Sequence, residues 1–149
     1  MLEQLIQWED IALNVEVENW QEAIYQGARL LLDKKAIEER YIQAIIKNVL
    51  DMGPYIVIAP GIALPHARPE DGVNELSMSL VTLKKSISFG SKDNDPVKLI
   101  ITLAAKDTKS HLLALSQLMD LLCSGEDVNS IMNSRDKTEV IEILDRYAK

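Results

Sequence analysis

Whatever imidazole chemistry this chain performs rests on two histidines, His66 in LPHARP and His111 in KSHLLAL, forty-five residues apart. Imidazole, with an ordinary pKa of about 6.5, offers a neutral nucleophile or a proton donor near neutral pH. Prolines at −1 and +3 of His66 stiffen the backbone that carries it, as a reactive side chain requires. Arg68, two residues on, can hold an anion near the ring. The plainer readings stand beside these: a histidine next to proline is usually a turn residue, Arg68 reads equally as a solvated loop residue, and His111 as a surface residue in the first turn of a helix. Both histidines nevertheless lie at element ends, where ligand sites form, and not inside a periodic apolar pattern.

Rival chemistries lack their residues. There is no HExxH or CxxC spacing for zinc, no GxSxG elbow, and neither GxGxxG nor GxxxxGK[ST] to cradle a nucleotide. Cys123 lies among leucines and reads as buried packing, and Met78, Met119 and Met132 as core filler.

The elements that must position His66 follow from the stretch Pro54–Val73, PYIVIAPGIALPHARPEDGV. Tyr55–Ala59 is an apolar, β-branched run too short for a globular helix and typical of a buried strand. Pro60-Gly61 turns the chain, Ile62-Ala63-Leu64 is a second short apolar piece, and Glu70-Asp71-Gly72 closes the stretch. Four prolines in sixteen positions exclude continuous helix or central sheet.

Around it, Ile11–Val17 alternates as a first strand. Asn19 and Glu22 form a capping box for a helix to about Asp33. A second helix over about Glu38–Met52 buries Tyr41, Ile42, Ile45, Ile46 and Val49 and ends at Gly53-Pro54. Glu75–Leu83 reads as a strand with Leu76, Met78 and Leu80 on one face, broken by Lys84-Lys85-Ser86. Val97–Ala105 is a central strand. The polar Asp107–Ser110 opens a helix over roughly His111–Cys123 with Leu112, Leu115, Leu118, Met119 and Leu122 inward; Gly125 ends it. A helical turn around Asp127–Met132 and a last helix capped by Asp136 and Glu139 complete the chain. Strands and helices interleave, so the class is α/β, a mixed sheet flanked by helices in a single domain over residues 1–149.

GIALPHARPEDGV, with the second histidine in KSHLLAL, resembles the IIA component of the bacterial phosphoenolpyruvate-dependent sugar phosphotransferase system (PTS), of the mannitol/fructose type. The resemblance runs from about Val15 to Tyr147, and the longer form PYIVIAPGIALPHARPEDGV is most similar to the L-ascorbate branch. It implies a sheet of about five strands and a phosphotransferase component needing no cofactor or metal. By resemblance, His66 accepts phosphate from the histidine of HPr and passes it to a cysteine of a cognate IIB protein. His111 matches the family's second histidine, orienting and stabilising the phosphoryl group; in a helix's first turn its pKa should be lowered. Ser110 and the free amides of that helix start could also bind the anion. One departure stands out. Mannitol-type members carry an arginine late in the second helix, where this chain has IIKNVLDMG, with Lys47 but no arginine; Arg68 is the other cation available.

A IIB partner would dock on the surface around His66, read as an apolar ring of Ile62, Ala63, Leu64 and Ala67 with the rim Arg68-Pro69-Glu70. Through IIB the protein would reach a membrane IIC complex without inserting itself. A regulatory module of the same fold, whose phosphorylation state controls a protein partner, also needs His66 and stays open.

Composition agrees with a carrier that meets proteins. The net charge of −7 argues against a nucleic-acid surface. At 149 residues, 47% apolar and 26% charged, disorder is not expected. No apolar run reaches the length of a membrane span, and the acidic start MLEQLIQWED has no leader pattern. A single cysteine fits a reducing cytoplasm.

Overall fold

In the computed structural model, which describes residues 2–147, a five-stranded mixed sheet of order β1-β4-β5-β3-β2 carries every other element. The strands are β1 (Ile11–Val15), β2 (Val57–Ala59), β3 (Ile62–Ala63), β4 (Ser77–Ile87) and β5 (Val97–Ala104). β5 lies antiparallel to β4 and parallel to β3, while β1 runs parallel to β4.

Alternation along β4 and β5 divides the core into two halves. Val81, Leu83, Ile100 and Ala104 face α2 (Trp20–Asp33) and α3 (Glu39–Met52). Met78, Leu80, Leu99, Ile101 and Leu103 face α1 (Leu2–Leu5), α4 (Thr108–Leu122), α5 (Gly125–Asn133) and α6 (Lys137–Asp145). α2 approaches the sheet closely at Gly27: a Cβ there would come within 2.7 Å of the Thr102 hydroxyl.

Asn19 is the expected N-cap of α2, but the box with Glu22 is not closed, because the Glu22 carboxylate accepts from the Glu18 amide and not from Asn19. Asn19 accepts from the Glu22 amide, and α3 stops at Gly53, whose φ of 86° suits glycine. Val97–Ala104 is central, as its unbroken apolar run implies.

Five more expectations change. Tyr55–Ala59 is not a buried strand: only Val57–Ala59 pairs, at the sheet edge and with β3 alone, and Ile58 is exposed. Lys84-Lys85-Ser86 does not break β4, which continues to pair with β5 at Ile87 after an irregular register. Those three side chains are exposed, and ladder hydrogen bonds belong to the backbone whatever the side chains' polarity. α4 starts at Thr108 and centres its buried face on Ala114, Leu118 and Leu121; Leu118 is inward as expected and Leu115 and Leu122 pack at the edge of the core, but Leu112 is exposed. Cys123 is exposed at the end of that helix. Gly125, read as a terminator, instead opens α5 behind the Ser124 cap.

Candidate active site

β3 and β5 run parallel, with Ile62 beside Leu99 and Ala63 beside Ile100, so their carboxyl ends open at the same edge of the sheet. Ligands of open α/β sheets collect at such ends. The chain leaving β3 carries His66, and the chain leaving β5 enters α4, whose fourth residue is His111. The two rings face each other with centroids 5.8 Å apart and planes inclined by 60°.

Successive backbone groups of the His66 segment are held by the sheet and by two tyrosines. The Leu64 amide donates to the Ile56 carbonyl (2.7 Å), and the Pro65 carbonyl accepts from the Leu103 amide (3.0 Å). The Tyr55 hydroxyl donates to the His66 carbonyl. The buried Tyr41 hydroxyl donates to the Leu103 carbonyl (2.8 Å) and accepts from the Ala67 amide (3.0 Å). Burial pushes both tyrosine pKa values up, so each stays a neutral donor.

The ring itself is oriented from within the loop. His66 Nδ1 lies 2.7 Å from the Leu64 carbonyl oxygen. A carbonyl can only accept, so Nδ1 carries a proton, and in the neutral ring the lone pair lies on Nε2. The Tyr55 ring meets the imidazole edge-on, centroids 5.3 Å apart and planes at 81°.

Both histidines line one cleft of about 570 Å³. Its walls are Asn48 and Met52 from the end of α3, Tyr55, the loop from Ala67 to Pro69, and Asp107 and Thr108 at the start of α4. His111 is half-buried, and its pKa is lowered by that burial first and by the neighbouring His66 second. The expected direction therefore holds, with desolvation and the His66 ring as its causes.

The other expected site residues separate. Arg68 does line the cleft, but its guanidinium lies 3.6 Å from Glu70 and 3.7 Å from Asp71 and is largely exposed. Lys47 does not reach the cleft; it turns outward to Asp51 at 3.3 Å, and the next residue, Asn48, takes the inward position. Ser110 is committed to the helix cap: its amide donates to Asp107 Oδ1 (2.7 Å) and its hydroxyl to the Asp107 carbonyl (3.2 Å). The Asp107 carboxylate therefore already occupies the helix start where an anion was expected to bind. The Ser110 amide and hydroxyl hold its pKa below the usual carboxylate range.

Ile62, Ala63 and Leu64 are buried at 4%, 0% and 3% exposure and cannot form an external apolar ring. β3 is an inner strand between β5 and β2, with both faces covered. Of that expected ring only Ala67 borders the cleft. The exposed apolar side chain in the cleft wall is Met52; Leu112 and Leu113, which follow His111 in α4, are also exposed but do not line the cleft. Asn48 and Tyr55 line the cleft without being singled out in the sequence as site residues. No local signal in the sequence marks the first, because Lys47 and Asp51 are equally polar positions at the same end of α3.

With this geometry in view, comparison with known proteins is specific. Residues 4–147 match the family described as phosphoenolpyruvate-dependent sugar phosphotransferase system, EIIA 2, and the chain belongs to it. The chain is 44% identical over 137 residues to the ascorbate-specific PTS system EIIA component of Escherichia coli K12, covering 91% of this chain and 89% of that one. Among solved structures it resembles the mannitol-specific cryptic phosphotransferase enzyme IIA CmtB of Escherichia coli, with a TM-score of 0.89 and 38% identity over 97% and 98% of the two chains. It shares its fold with the IIA of the Escherichia coli complex of enzyme IIAMtl and phosphorylated enzyme IIBMtl, at a TM-score of 0.84 and 22% identity over 95% and 99%.

Proposed function

We propose that this protein is the phosphoryl carrier of an L-ascorbate uptake system, accepting phosphate on His66 and passing it to a cognate IIB protein. The observation that carries this is the tautomer fixed at His66. With Nδ1–H held by the Leu64 carbonyl, Nε2 is the nucleophile, in the same cleft as a second imidazole.

In the first half-reaction the Nε2 lone pair attacks the phosphorus of the HPr phosphohistidine. A new N–P bond forms on His66 as the donor's N–P bond breaks, and the donor imidazole leaves with the electron pair. His66 keeps its Nδ1 proton and becomes a phosphorylated imidazolium, its positive ring offsetting the phosphoryl dianion while Leu64 accepts the N–H. In the second half-reaction a IIB thiolate attacks the same phosphorus, and neutral His66 is regenerated. Catalysis of such transfers is positioning and charge stabilisation, which the pinned loop and His111 supply. His111 is a neutral donor to the equatorial oxygens.

Ascorbate enters from the 44% identity to the ascorbate-specific relative. Partner docking uses Met52, the exposed apolar residue of the cleft wall, and Leu112 and Leu113, exposed on α4 next to His111 in sequence, with Arg68 and Glu70 as the charged groups of the His66 loop. No helix among the described residues is long and apolar enough to cross a membrane; the reading places the protein in the cytoplasm, reaching a IIC transporter through IIB.

The test is transfer from phosphoenolpyruvate through enzyme I and HPr. The wild type takes up acid-labile, base-stable phosphate and His66→Ala takes up none while keeping its fold. A fully labelled His66→Ala overturns the assignment. Uptake without transfer to any IIB points to a regulatory module instead.

A further inference from the structure

Lys47 turns outward to Asp51, and Val49 packs into the core at 5% exposure. Helical spacing leaves Asn48 between them, half-buried at the cleft that holds both histidines. Tyr55, whose hydroxyl donates a hydrogen bond to the His66 carbonyl, lines the same cleft. The carboxamide of Asn48 carries two N–H groups and no charge, so it brings neutral donors to the cleft that holds His66 and His111.

The cleft is poor in positive charge. Arg68 is engaged by Glu70 and Asp71, Lys47 points away, and the Asp107 carboxylate lines the mouth. A phosphoryl dianion on His66 must then be met by neutral donors. From these placements we propose that Asn48 binds the phosphoryl group, an Nδ2–H donating to an equatorial oxygen in the cleft it shares with His111. The inference rests on His66 as the acceptor. A carboxamide holds a dianion less firmly than a guanidinium, because the bond lacks the charge term. The phosphoryl group is positioned by Asn48 without being trapped, as a reversible relay requires.

Two measurements on the full chain test this. In the ¹⁵N-labelled wild type, phosphorylation through enzyme I and HPr should move the proton resonances of the Asn48 side-chain amide downfield, as a charged acceptor arrives. Unmoved resonances in a protein labelled on His66 overturn the inference. In single-turnover transfer from phospho-HPr, Asn48→Ala should slow labelling by about 10- to 100-fold, the effect of one lost bond to a charged group. Asn48→Asp, similar in shape but anionic and without a donor, should slow it further. Both substitutions leave the Tyr41 and Leu64 anchors of the His66 loop in place, and His66→Ala sets the zero of the assay. Wild-type rates in both Asn48 variants overturn the role of Asn48 and leave His66 standing. A wild type that takes up no phosphate on His66 overturns both.

Discussion

His111 sits at the fourth position of α4 with its ring 5.8 Å from that of His66, so its titration reports what His66 carries. Burial and the His66 ring hold its pKa below the ordinary 6.5 in the unphosphorylated protein. A phosphoryl dianion between the rings favours the imidazolium and must raise it. An NMR titration should find the His111 midpoint below 6.5 before phosphorylation and higher after it; a midpoint that does not move places the phosphoryl group away from this ring. The sign for stability follows from the same shift. The unfolded chain is the better proton binder between the lowered value and about 6.5, so the contribution of His111 is complete above 6.5 and declines as pH falls through that window. His111→Ala should still be labelled on His66, with transfer in and out slowed by up to about 10²-fold, less than at a fully enclosed oxyanion site. Unchanged rates would reduce His111 to a helix-start residue. Both histidines were legible in the sequence because rarity and placement at element ends mark them. Asn48 was not, because its role depends on which side of α3 the cleft forms, and Lys47 beside it carried the more conspicuous charge.

α3 contributes at both ends, and one of its residues couples the core to the site. Tyr41 was readable as a core position from helical spacing, but its hydroxyl reaches Leu103 on β5 and Ala67 next to His66. Those contacts span sixty-two and twenty-six residues of sequence, which no local pattern encodes. Tyr41→Phe keeps the ring and leaves the Leu103 carbonyl and the Ala67 amide without that partner. Chemical denaturation should show a loss of about 1–3 kcal/mol, and labelling of His66 should slow in the folded protein as the loop loosens. An unchanged unfolding midpoint would mean that water takes over both groups. The same gap between local pattern and pairing explains β3 and β4. Ile62–Leu64 lies in a proline-rich stretch that reads as surface loop, yet parallel pairing with β5 draws it inside. Lys84-Lys85-Ser86 reads as a break because three polar side chains interrupt the apolar alternation, while the backbone continues to pair with β5 at Ile87. In α4 the leucine spacing marks a broad apolar face, and packing on the core centres it on Ala114, Leu118 and Leu121, with Leu115 and Leu122 at its edge and Leu112 left outside.

At the scale of the whole molecule, a carrier of phosphate need not contact sugar, because the transporter selects the substrate and the IIB interface transmits that choice. In the proposed reading the surface presented to IIB includes Met52 of the cleft wall, 65% exposed, and Leu112 and Leu113 of α4, 60% and 48% exposed. Large apolar side chains so exposed beside a reactive centre act as binding anchors, while rim charges mostly set encounter rate and exclude wrong partners. Replacing Leu112 and Leu113 together by serine should leave thermal stability within about 0.5 kcal/mol, as for surface positions, and raise the concentration of IIB needed for half-maximal transfer about tenfold or more. The maximal rate should change little, because His66, His111 and the loop anchors are untouched. Wild-type concentration dependence in that variant removes α4 from the interface. Partner choice is the sharper test. With 44% identity to an ascorbate-specific relative, the phosphorylated protein should transfer to an ascorbate-type IIB faster than to mannitol- or fructose-type IIB proteins in single turnover. The 38% identity to a mannitol-specific IIA makes the mannitol-type IIB the informative competitor. If that IIB accepts phosphate faster, membership of the family is unaffected and the ascorbate assignment falls.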